Sequence, residues 1–198
     1  MSALTVLRKV APRSLLERLP DSFSMLRLLL VPVLLALALA DAATAFLVVL
    51  GVSLFSDAAD GALARGLDHV TERGARLDSR ADLATWAVLP FAAALLRPEA
   101  LWAEAPWIAL LIGSGAAAIA TGYLRFRRLT SYHTWGAKLT GVLLAVALVS
   151  LFAGGPTWPL RVAALVGWLS QIEEVAISMW LSEWRADVPS FWHARRLR

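Results

Sequence analysis

Four aspartates bracket a single turn of the chain, Asp57 and Asp60 before it, Asp78 and Asp82 after it. Residues spaced i, i+3 or i, i+4 share one face of a helix, so each pair presents two carboxylates on one side. If the two faces meet, four carboxylates converge. Unpaired, they repel one another and resist burial, at about 2.5–3.5 kcal/mol per charge at the centre of a membrane helix and less near its interface. Something cationic must compensate. Mg2+ and Mn2+ take hard oxygen ligands and bridge phosphates, and two such ions stabilise both the attacking and the leaving oxygen of a displacement. The array therefore points to diphosphate chemistry. A competing reading pairs the aspartates with Arg65, Arg73, Arg76 and Arg80 in a solvated network. The small residues Gly61, Ala64 and Gly74 favour the metal, because they let a backbone or a nucleotide approach closely.

The elements that must position these residues are membrane helices. The chain is 59% hydrophobic and only 17% charged, where soluble domains carry about 25% charge, and its mean hydropathy is +0.64. Residues 1–22 interleave Arg8, Lys9, Arg13 and Arg18 with leucines and valines, an amphipathic pattern expected to lie in the interface. Apolar runs then predict spanning helices over about Phe23–Ala40, Ala42 through Phe55 to near Gly66, Gly74 to before Arg97, Trp102–Leu124, Gly136–Ala153 and Trp158–Leu181. Asp41 marks the first turn, and Gly154, Gly155 and Pro156 break the chain before the last helix. The expected fold is all-α, a six-transmembrane-helix bundle (23–182) preceded by the amphipathic segment (1–22) and followed by a basic tail (183–198).

Lys and Arg distribution sets the orientation. The N-terminal segment, the second loop (Arg65, Arg73, Arg76), the fourth loop (Arg125, Arg127, Arg128) and the tail are basic. The alternate connections hold little beyond Arg97 and Arg161. Both termini, and with them the aspartate turn, are expected on the cytoplasmic side, where water-soluble substrates reach it. These arginines cluster beside apolar runs, where they meet anionic headgroups, so the net charge of +4 does not imply a nucleic-acid partner. With no cysteine, thiolate nucleophiles and Cys-ligated metals are excluded.

The pattern D-x2-D-G-x2-A-R-x8-G-x3-D-x3-D is filled at every fixed position from Asp57 to Asp82, and it resembles the signature of the CDP-alcohol phosphotransferase (CDP-alcohol phosphatidyltransferase) family. That resemblance implies six transmembrane helices with the motif across the second and third. It implies two Mg2+ or Mn2+ ions held by Asp57, Asp60, Asp78 and Asp82, with Asp82 also the base that deprotonates the acceptor hydroxyl, and CMP as leaving group. Gly61, Ala64, Arg65, Thr71 and Gly74 fall where the family contacts its nucleotide and diphosphate. Asp21, Ser22, Phe23 and Ser24, after Pro20, look like its P-N/D-x-x-T/S opening of the first helix. The resemblance further implies a homodimer, CDP-diacylglycerol as donor, phospholipid biosynthesis as the process and a prokaryotic inner membrane as the location. The rival classes, a membrane Asp-rich prenyltransferase and an ion-coupled transporter, do not explain the spacing of Gly61, Ala64, Arg65 and Gly74.

For the acceptor, Arg125, Arg127 and Lys138 gather cations suited to a phosphorylated alcohol. Glycerol 3-phosphate is the first expectation, because Lys138 and Thr140 within Gly136–Gly141 are similar to the G-K-x-K-T stretch of phosphatidylglycerophosphate synthases. Ala137 interrupts that likeness, and inositol phosphate ranks second. Glu173 and Glu174 lie at membrane depth, where a carboxylate is a functional candidate, though structural pairing explains them equally. His133 is read as a cap of the fifth helix in preference to a ligand of substrate phosphate. The tryptophans, among them Trp102, Trp107, Trp158, Trp180 and Trp184, read as an interfacial belt.

Overall fold

The computed structural model describes residues 19–67, 72–128, 130 and 132–197. Most of the N-terminal amphipathic segment and Thr71 lie outside them. Among the described residues all regular structure is helical: α1 (Leu19–Leu39), α2 (Ala43–Leu67), α3 (Glu72–Leu96), α4 (Pro98–Ala103), α5 (Ala105–Phe126), α6 (Trp135–Phe152), α7 (Trp158–Trp180) and α8 (Phe191–Arg195). Four stretches are long and apolar enough to cross a bilayer: Ser22–Leu39, Ala105–Phe126, Trp135–Phe152 and Trp158–Trp180. In α2 the apolar part is the shorter Ala43–Asp57, because the helix continues into the aspartate motif. Large apolar side chains such as Leu29, Val48, Leu83, Ile112, Val142 and Leu169 point outward. In water such a surface would aggregate; facing lipid it needs no cover.

The chain divides into two compact units, Met1–Pro98 and Glu99–Arg198. In the first, α1 packs against both α2 and α3, burying Leu34 and Ala38 with Phe46 and Leu50 of α2 and Ala81, Leu89 and Ala92 of α3. A polar seam accompanies this core: Ser24 and Arg27 on α1, Ser53 and Ser56 on α2 and Thr85 on α3 are buried. Two of these hydroxyls are satisfied within their own helices, Ser56 donating to the Val52 carbonyl (2.7 Å) and Thr85 to that of Ala81 (2.8 Å), as hydroxyls in an apolar helix commonly are.

In the second unit α7 is the shared element, packed against α5, α6 and the short α8. Gly136 and Gly167 permit the close approach: a Cβ on Gly136 would lie 2.8 Å from Ser170 Oγ, and one on Gly167 would collide with Leu111 and press on Thr140. Thr134 caps α6 by accepting from the Ala137 amide (3.1 Å), and its hydroxyl pairs with Ser170 of α7 (3.1 Å). The predicted break after α6 is present, with Gly154 at φ 73°, a left-handed conformation that glycine adopts freely.

One helix expected as continuous, Trp102–Leu124, is instead split into α4 and α5 at Glu104. The Glu104 carboxylate is buried and accepts from Thr157 (2.7 Å) and from Arg161 Nε and Nη2 (2.8–3.1 Å). Hydrogen bonds from Arg161 hold its carboxyl below the ordinary 4.5, prevailing over burial, which acts in the opposite sense. Because the folded value is lowered, this contribution to stability is complete above the ordinary value and disappears as pH falls through the folded one. The two partners are not equivalent. Removing Glu104 releases an Arg161 side chain that is half exposed and can turn to water, whereas removing Arg161 strands a buried carboxylate. Glu104→Gln is expected to cost about 1 kcal/mol, and Arg161→Met to lower the melting temperature in detergent further. The acid-induced loss of stability should be steeper in wild type than in Glu104→Gln.

Candidate active site

Helices α1, α2 and α3 bring Arg27, Asp57 and Asp82 to one point. Arg27 Nη1 donates to Asp57 Oδ1 (2.6 Å) and to Asp82 Oδ1 (2.5 Å). The guanidinium is 3% exposed, while the two carboxylates are 52% and 44% exposed. The cation therefore lies beneath the pair, and much of each carboxylate remains open to ligands on the outer side. The local reason is register. Asp57 stands one residue beyond buried Ser56, and Asp82 one beyond buried Ala81, so both sit at the margin of the α1-facing stripes rather than at their centre.

Of the motif's four aspartates, Asp57 of α2 and Asp82 of α3 come together on Arg27 Nη1. Asp60, Gly61, Ala64 and Arg65 belong to α2, and Gly74 and Asp78 to α3, but their side chains lie outside the described residues, as does that of Asp21 on α1. Among the described residues no three carboxylates or imidazoles converge as a ligand set. The two acidic groups that do converge already share a cationic donor atom, and their oxygens are the hard ligands that a divalent ion takes. The residues present fit such an ion. At the start of α1, Ser22 is exposed, Phe23 half-buried and Ser24 buried.

Arg27 was not expected from the motif. The available signal was a charge placed inside the first apolar run, since an ionisable residue within a spanning segment marks a site and demands a partner. Glu104 carried a similar signal, as a lone carboxylate between apolar runs.

The basic residues proposed for the acceptor belong to the second unit. Arg125 donates from Nε and Nη2 to the Leu181 carbonyl (3.2 and 3.0 Å), just past the C-terminal end of α7. Arg127 is exposed and holds the left-handed turn that ends α5, φ 55°. Lys138 is exposed, its ammonium 4.8 Å from the centre of the Trp135 ring. His133 precedes the cap residue Thr134 and pairs instead with Asp187 (2.7 Å), both exposed. Glu173 accepts from the Phe191 amide at the start of α8 (2.9 Å), a structural use of one of the two membrane-depth carboxylates. Around it the C-terminal segment folds back: Val188 and Ala194 are buried with Tyr132, Ile177 and Leu181. The Tyr132 hydroxyl pairs with Ser178 (2.9 Å), and burial pushes its phenol above the ordinary value.

A family model described as CDP-alcohol phosphatidyltransferase matches residues 17–180, a span that contains α1 to α7 and both convergent aspartates. No curated protein and no solved structure matches the chain.

Proposed function

Because the chain belongs to the CDP-alcohol phosphatidyltransferase family, a transferase family of phospholipid synthesis, we propose that it moves the phosphatidyl group of CDP-diacylglycerol onto a small phosphorylated alcohol, glycerol 3-phosphate first and inositol phosphate second, and releases CMP. The observation that carries this reading is the meeting of Asp57 and Asp82 from two helices above one buried cation. Asp57, Asp60, Asp78 and Asp82 would hold two Mg2+ or Mn2+ ions, whose chemistry is to neutralise the diphosphate and the departing CMP.

The protein's own groups supply the rest. An alcohol near pH 7 is a poor nucleophile, and the partly exposed Asp82 carboxylate accepts its proton as the oxygen attacks the phosphorus bearing diacylglycerol. The bond from that phosphorus to the CMP oxygen breaks, and the proton stays on Asp82 until water removes it. Gly61, Ala64 and Gly74 leave room for the nucleotide; Arg65 and Thr71 meet the diphosphate, and residues 21–24 line the donor at the start of α1. The apolar outer faces of the helices suit a substrate whose acyl chains lie in the bilayer.

In this reading α2 and α3 also cross the membrane, giving six spans. The N-terminal segment lies on the surface, both termini face the cytoplasm of a prokaryotic cell, and the working form is a homodimer. Arg125, Arg127 and Lys138 hold the acceptor phosphate. Arg127→Ala and Lys138→Ala are each expected to raise KM for the phosphorylated acceptor about tenfold, the loss of one charged hydrogen bond of about 1.5 kcal/mol, while KM for CDP-diacylglycerol stays constant. Arg125→Ala adds a loss of stability, because the Leu181 carbonyl loses its donor.

The deciding assay is CMP release by purified protein in detergent with CDP-diacylglycerol and Mg2+, screened against glycerol 3-phosphate, inositol phosphate, inositol, serine and choline. Release that depends on a phosphorylated alcohol supports the reading; release only with an unphosphorylated alcohol overturns the acceptor assignment. Dependence on an isoprenoid diphosphate, with pyrophosphate as product, would transfer the chain to a different chemistry.

A further inference from the structure

Arg27 has no place in the motif, yet it touches two of the motif's aspartates. It sits in the apolar stretch Ser22–Leu39 with only 3% of its side chain exposed, in a setting where an unpaired charge is not tolerated. One nitrogen, Nη1, serves both Asp57 Oδ1 and Asp82 Oδ1, so the guanidinium joins α1 to α2 and α3 at one point. It approaches from the interior, while the carboxylates open outward.

We infer that Arg27 is a built-in counter-cation of the metal site: it holds Asp57 and Asp82 together when no metal is bound, and its charge sets how tightly the site takes a divalent ion. The inference rests on the reading of Asp57 and Asp82 as metal ligands. Two carboxylates brought together without a cation repel each other, and one loses its charge or the helices part. A guanidinium prevents both. The same positive charge opposes an incoming dication, and its N–H competes for oxygen lone pairs that the ion would use. Arg27 thus keeps the metal-free site assembled at the expense of metal affinity. It is a positioning residue: it touches the two carboxylates and acts through them rather than on the substrate.

Removing the charge while keeping a donor, Arg27→Gln, separates this role from packing. Mn2+ binding, followed by electron paramagnetic resonance of the free ion, is expected to tighten at least about tenfold, the scale on which one adjacent charge moves a carboxylate's ionisation. The melting temperature in chelator is expected to fall below wild type and to recover at saturating Mg2+, so that the metal-induced rise is larger in the variant. Arg27→Lys restores the cation and should return Mn2+ affinity close to the wild-type value. Unchanged or weaker Mn2+ binding by Arg27→Gln overturns the inference. So does a protein that fails to fold at saturating Mg2+, where the ion should supply the missing charge. If wild type binds Mn2+ and releases CMP while Arg27→Gln binds Mn2+ as wild type does, the proposed function stands and this inference alone fails. If wild type binds no Mn2+, both fall.

Discussion

Asp82→Asn protein is expected to release CMP at about a hundredth to a ten-thousandth of the wild-type rate, the range that a positioned general base contributes. The substitution is nearly isosteric, keeps an oxygen to accept from Arg27 Nη1, and leaves the α1–α3 packing alone. What it removes is the capacity to take a proton from the acceptor, together with one ligating charge whose loss saturating Mg2+ offsets. Because Asp82 is 44% exposed beside the buried Arg27, an alcohol approaching from the open side can reach its carboxylate. The measurement is single-turnover CMP formation at saturating CDP-diacylglycerol and acceptor. A base role predicts that raising the pH restores part of the rate, as the acceptor hydroxyl ionises without help. A residual rate within tenfold of wild type would transfer the proton to another group.

The base role of Asp82 is what the family resemblance implies; what the carboxylate spacing itself carries is geometry. Asp57 with Asp60, and Asp78 with Asp82, could share helix faces only if the flanking apolar runs were helices, and the structure makes them α2 and α3. Helix ends were legible wherever local chemistry set them. Gly154, Gly155 and Pro156 stop α6, and the observed bounds of α6 and α7 fall within a few residues of those read from hydropathy, although the residue that caps α6 is Thr134 and not His133. What could not be read depended on partners far along the chain. The division of α4 from α5 requires Glu104 to meet Arg161, 57 residues away, and no window of local hydropathy contains that pair. Arg27 meets Asp82 across 55 residues. Its charge was conspicuous in the first apolar run, but its partner was decided by how α1 lies between α2 and α3. Glu173 shows the converse: membrane depth made it a candidate, and the fold gives it to the Phe191 amide, an acceptor role that a tail read as solvated would not suggest.

Chelation of divalent ions is the second large expected loss, about a hundredfold to a thousandfold in CMP release, matching the several kcal/mol that a metal contributes to stabilising developing charge. Mg2+ or Mn2+ should restore the rate, and Ca2+ should do so poorly, because it is larger and accepts looser geometry than a diphosphate transfer requires. The partly exposed Asp57 and Asp82 carboxylates are the reason to expect reversibility: Arg27 pairs with both, so the site need not collapse when the ion leaves. Wild type treated with chelator should therefore stay folded, regain activity within the mixing time on adding Mg2+, and show no lag from refolding. Asp57→Ala tests the same point from the ligand side. It should raise the Mg2+ concentration for half-maximal rate at least about tenfold, as loss of a ligating charge does, and leave KM for the acceptor unchanged. Full activity in chelator would show that the carboxylates serve Arg27 and the fold alone, and that charge on the diphosphate is met by protein cations.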